Sequence, residues 1–145
     1  MKATYKFFKY KAGISSFAVV GLETVSSSET GVVWSTKLVE YERTYSDAVA
    51  EGVAAAMKHH IRRGGAPSSF IVTEFTELIV DTKEDAVCCA ATVAAWKALG
   101  HDESEIVFEF DGHKGADISP QVLEKKHTNN GPLIPSGGSS SAACR

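Results

Sequence analysis

The run from Phe70 to Gly100 constrains this chain of 145 residues more than any other. Its first part carries Phe70, Ile71, Val72, Phe75, Leu78, Ile79 and Val80. An aromatic and β-branched set of that kind predicts a strand over Ser69–Val80. A second part, Ala86 to Leu99, follows almost at once, is rich in Ala, Val and Cys, and is closed by Gly100. Side chains so small predict a helix that lies close to a sheet or to another helix. Asp81 or Thr82 is expected to cap it, since Thr82 and Asp85 have capping-box spacing and Glu84 and Asp85 suit the positive end of the helix dipole. Trp96 is expected to cover one end of the core.

The preceding residues read as three strands and a helix. Lys2–Tyr10 interleaves aromatics with lysines, a hairpin loop containing Gly13 follows, and Ser16–Val25 forms a second strand with Gly21 at a bulge. After a polar turn at Ser26–Thr30, Gly31–Val39 reads as a third strand of an antiparallel meander. A helix capped at Thr44 or Ser46 then carries Val49, Val53, Ala56, Met57 and Ile61 on one stripe, and Gly64-Gly65 with Pro67 ends it. Ile106–Phe110 is the last strand. Apolar content collapses after Gly112, so 111–145 is expected to be a mostly disordered polar tail behind a single domain at 1–110. The order predicts an α+β two-layer sandwich, a mostly antiparallel sheet with two helices on one face.

Composition narrows the function. Hydrophobic residues at 43% and charged residues at 23% describe a globular domain. No apolar run approaches the roughly 20 residues that span a bilayer, and the lysine-rich start lacks the apolar core of a secretory signal, so no membrane partner and a cytoplasmic location are expected. Up to Phe110 there are 15 acidic against 11 basic residues, a poor balance for general nucleic-acid binding. A local anion or RNA contact would draw on Lys6, Lys9, Lys11, Lys58, Arg62 and Arg63. The aromatics between the lysines of the first strand fit an edge strand or a base-stacking platform. The basic end of the first helix is explained by its dipole alone.

Catalytic signals are weak. Cys88 and Cys89 diverge by about 100° on a helix and have neither redox nor zinc spacing, so they read as structural, and Cys144 as incidental. His59 and His60 diverge likewise, and no metal or cofactor is expected. Glu74 and Glu77 fall on opposite faces of a regular strand. An enzyme would have to draw on His59, His60, His101 or His113, with Cys88 or Cys89 as nucleophile, and none of these stands at a diagnostic spacing from a partner.

Two segments resemble domain IV of translation elongation factor G and its archaeal and eukaryotic relatives. One is Tyr45, Ala48-Val49, Gly52-Val53 and Ala56-Met57; the other is Val80-Asp81-Thr82-Lys83-Glu84-Asp85-Ala86 followed by Ala90-Ala91. The resemblance covers about two thirds of the chain and implies the fold named after the second domain of ribosomal protein S-five, with a left-handed β-α-β crossover. The departures are at the tips. Only Gly13 remains where the family has a glycine-rich loop, Phe75–Ile79 lacks the family's Asp-Gly turn and His, and no P-loop motif is present. The resemblance therefore implies a scaffold without GTPase activity. The expected function is a non-catalytic module that meets a protein partner or itself. An RNA- or ribosome-associated module and a small-molecule enzyme on the same fold are the alternatives.

Overall fold

A computed structural model describes residues 1–11, 13–78, 80–111 and 117–123. Strands β1 (Lys2–Lys11) and β2 (Ile14–Ser26) form a long antiparallel hairpin that sets Tyr5 opposite Val20 and Phe7 opposite Ala18. Strand β3 (Val32–Trp34) leads through a 3-10 turn at Thr36–Leu38 directly into helix α1 (Val39–Arg62). Strand β4 (Ser68–Thr76) returns antiparallel to β2 and parallel to β3, giving the order β1-β2-β4-β3. Helix α2 (Glu84–Ala98), a second 3-10 turn at Glu103–Glu105 and the hairpin β5 (Ile106–Asp111) and β6 (Asp117–Val122) complete the described chain. This is a two-layer α+β sandwich with a mixed, mostly antiparallel sheet.

Alternation decides which side of the sheet is covered. Tyr5 and Phe7 of β1, Ala18, Val20 and Leu22 of β2, Trp34 of β3 and Phe70 and Val72 of β4 face the helices and join one core with them. The expected irregularity at Gly21 is present as a bulge: the register passes from Gly21↔Glu74 to Leu22↔Val72, leaving Thr73 as the extra residue on β4. The β5–β6 hairpin closes the β1 side, where the Phe108 ring meets Phe7 edge-on at 4.9 Å.

Four local expectations are corrected. The third strand is short and pairs with β4 instead of β2. Helix α1 takes the residues after it, because Tyr41 and Tyr45 stand four apart and both stack on Phe75 at 4.9 and 5.1 Å, a contact only helical spacing allows. Its entry is fixed earlier, at Ser35, whose hydroxyl accepts from the Lys37 amide, so Thr44 and Ser46 lie inside the helix. Thr82 does not cap α2: its hydroxyl donates to the Phe17 carbonyl at 2.7 Å and accepts from the Leu78 amide, pinning the 77–83 loop to β2. Finally, β6 lies within the segment expected to be a tail and pairs with β5. His113, Cys144 and residues 124–145 lie outside the described residues. Among the described residues no helix is long and apolar enough to cross a membrane.

The helices run side by side in the same direction, Gly52 lying against Cys88–Thr92 and His60 against His101. A Cβ on Gly52 would stand 2.5 Å from the Cys88 carbonyl oxygen and 2.8 Å from the Ala91 methyl. The Thr92 hydroxyl lies across the seam, 3.1 Å from the Gly52 carbonyl and 2.8 Å from that of Cys88. In an open helix interior, Gly to Ala stabilises by roughly 0.5–1 kcal/mol. Here the backbone of α2 occupies the space, so Gly52→Ala is expected to destabilise by about 1–3 kcal/mol in urea unfolding. A variant as stable as the parent would show that the seam is looser than described.

Candidate functional site

Both helices end with a left-handed glycine, Gly64 at φ +88° and Gly100 at φ +93°. In each, the following amide reaches back five residues, Gly65 to the His60 carbonyl and His101 to the Trp96 carbonyl. Because the helices are parallel, the two caps lie together. His60 Nδ1 and His101 Nε2 are 2.9 Å apart, and the His101 ring stacks on Trp96 at 3.9 Å. One imidazole must donate and the other accept. Arg63 lies over the Trp96 indole at 4.8 Å, pairs with Glu105 at 2.7 Å and donates to the Leu123 carbonyl. This cluster ties α1, α2, the second 3-10 turn and the end of β6 together.

The residues singled out for catalysis are therefore held in structural contacts. His59 is buried, and His60 and His101 bond each other. Cys88 and Cys89 are buried, and burial, with the nearby Asp85 charge, pushes the Cys89 thiol up, the reverse of what a nucleophile needs. Glu74 accepts from Thr4 on one side of the sheet while Glu77 accepts from Tyr45 on the other. Among the described residues no group of three or more His, Cys, Asp or Glu could hold a metal ion.

The six candidate cations do not form one footprint. Lys6 is on the uncovered face of the sheet, beside Phe17 at 5.6 Å, whereas Lys58 and Arg62 are exposed on α1 in the opposite layer. Lys9 faces the other way from Lys6 and lies 5.6 Å from the Phe108 ring. Arg63 is engaged as described, and Lys11 closes β1. The sheet thus separates Lys6 from Lys9, Lys58, Arg62 and Arg63, which lie on its helical side.

What remains uncovered is the second face of the sheet. Phe8 and Tyr10, at alternate positions of β1, are 53% and 69% exposed there, and Val33 of β3 is 63% exposed. Phe8 meets its cross-strand partner Phe17 edge-on at 6.5 Å, so the aromatic pair is fixed and not free to fold away. The neighbouring edge of β1, ten residues long, pairs among the described residues with β2 alone. The sequence placed four aromatics on this strand, and the pairing of β1 with β2 shows that Phe8 and Tyr10 are the exposed ones. Sequence alternation did not find Val33 as an exposed residue, because that position depends on the parallel pairing of β3 with β4.

On the covered side, Trp34, Tyr41 and Tyr45 gather around Phe75 and fix α1 over β3 and β4. The Tyr45 hydroxyl donates to Glu77 at 2.7 Å.

No family model matches the chain, and no curated protein matches it significantly. Among solved structures, a crystal structure of a protein from Thermus thermophilus is similar, with 28% sequence identity and a TM-score of 0.59. The match covers 69% of this chain and 16% of the Thermus chain, so this chain spans a small part of that protein's length.

The Tyr45 geometry has a measurable consequence. Its phenol is pushed up to about 12, first by burial and then by the hydrogen bond to and charge of Glu77. Between the ordinary value near 10 and about 12, the folded chain keeps a proton that the unfolded chain releases. Stability from this group is therefore complete below pH 10 and is lost as pH rises through about 12. Absorbance titration should show a late tyrosine, moved part of the way back by Glu77→Gln. All four tyrosines ionising together near 10 in the folded protein would contradict the contact.

Proposed function

We propose that the protein is a non-catalytic protein-interaction module on a scaffold like that of elongation factor G domain IV, with its partner packing on the open sheet face at Phe8 and Tyr10. The observation that carries this reading is two large aromatic side chains exposed on one rigid strand at an unpaired sheet edge. Aromatic residues anchor protein interfaces because they bury much area at small entropic cost, and exposed clusters of them mark binding surfaces. Lysines between the aromatics supply a polar rim and discourage indiscriminate strand pairing.

The scaffold reading is supported by the order of strands and helices and by the Gly52 and Ala91 positions, which meet where the helices touch. An alignment spanning 16% of a longer bacterial chain is also what one module of a larger protein produces. The RNA alternative is disfavoured by the net charge of −3 and by cations divided between opposite layers.

The test is affinity capture from native lysate with the parent chain and with Phe8→Lys/Tyr10→Lys, each with and without ribonuclease. Both substitutions are on exposed positions, so stability should change by about 1 kcal/mol or less. The expected result is a protein recovered by the parent, unaffected by nuclease and lost with the double variant. Recovery of RNA that ribonuclease abolishes would replace this reading with the RNA-associated one.

A further inference from the structure

The other edge of the sheet is built differently. Among the described residues strand β3 pairs with β4 only, and α1 passes beside it. Between them lies a groove of about 350 Å³. Val32, Trp34 and Val53 give it an apolar floor, and the methyl groups of Ala50 and Ala54 on α1 leave it open. Among the described residues the lining includes two carboxylates, Glu42 and Asp47, and no basic side chain. Both carboxylates are exposed, and among the described residues neither has an ion-pair partner. The walls do not depend on an occupant, since Trp34 and Tyr45 both pack on Phe75 and hold β3 and α1 in place.

Backbone polarity says what conformation suits this edge. The Gly31 carbonyl accepts from the Phe70 amide and the Ser35 amide donates to the Val72 carbonyl, so residues 31, 33 and 35 present their backbone groups to β4. By alternation the N–H and C=O of Val32 and Trp34 point away from the sheet, along the groove. An extended chain laid here would satisfy them. Its side chains would point alternately towards α1, where Glu42 and Asp47 stand, and towards the open face, where Val33 is exposed.

We infer that the β3–α1 groove binds an extended segment of a partner protein in which basic residues alternate with β-branched ones. The basic side chains lay their aliphatic stems over Val32, Ala50 and Ala54 and their charges against Glu42 and Asp47. The β-branched residues cover Val33. Recognition is strand addition with a helix as the second wall. It uses neither Phe8 nor Tyr10, so it stands or falls separately from the open-face reading.

The test uses the full chain and two fluorescein-labelled hexapeptides, one alternating lysine with valine and one alternating glutamate with valine. Polarisation titrations are read together with amide chemical shifts. The lysine peptide is expected to bind at least about tenfold tighter than the glutamate peptide. Its affinity should fall with added salt and shift the amides of Val32, Val33 and Trp34. Glu42→Lys/Asp47→Lys should weaken it by roughly tenfold. Ala50→Phe, which fills the groove without touching charge, should weaken it too. Equal affinity for the two peptides, or no saturable binding at millimolar peptide, overturns the proposal. So do shifts confined to Phe8 and Tyr10, which would assign the peptide to β1, and concentration-dependent self-association abolished by Glu42→Lys/Asp47→Lys, which would make a second copy the occupant.

Discussion

The contact between Gly52 and the backbone of α2 sets the geometry of the helical layer. Two helices this close must present small surfaces to each other, and Gly52 meets the Cys88 carbonyl and the Ala91 methyl in a seam with no room for another carbon. The helices also run in the same direction, which places like dipole ends side by side. Their last carbonyls, concentrated at one end, need donors. The glycine caps at Gly64 and Gly100 supply some of these through the backbone, and Arg63 brings a positive charge to the same end while reaching Trp96 and Glu105. The histidine pair belongs to this arrangement: His60 and His101 meet because both helices end there.

A helical layer fixed in this way covers one face of the sheet and leaves the other to solvent. The two edges then differ in kind. β1 is long and flanked by lysines, and its aromatics stand on the open face. β3 is three residues long and bordered by α1, so access to its backbone is through a groove with acidic residues along one wall. The first edge offers area and the second offers directional hydrogen bonds in a defined channel. Surfaces of the second kind discriminate among partners by sequence, because each alternate side chain meets a different wall.

Much of this was legible in the sequence where the signal is local. The alanine-rich run of α2, the glycines that end both helices and the alternation of β1 and β2 each act within a few residues, and the two-layer class follows from them. Signals that depend on distant partners were not legible. Gly31–Val39 is as good a strand as any by composition, yet only its first residues pair, because Tyr41 and Tyr45 find Phe75 across the core. Thr82 has the spacing of a cap but is taken by the Phe17 carbonyl, 65 residues away in sequence. β6 lies in a polar segment and is ordered by pairing with β5, a partner that no local pattern announces. The six cations looked like one group because sequence does not show which layer a side chain occupies. The acidic groove at β3 was hidden for the same reason.

Several chemistry-bearing groups among the described residues serve the fold itself. Tyr45, Glu77, His60, His101, Arg63 and Thr82 each serve a hydrogen bond or ion pair that fixes one element to another. The groups that the fold leaves unspent are of another kind: aromatic surface on β1, backbone donors and acceptors on β3, and two carboxylates on α1. Apolar area, an unpaired strand edge and fixed charge are the elements of binding. They lie on opposite edges of one sheet.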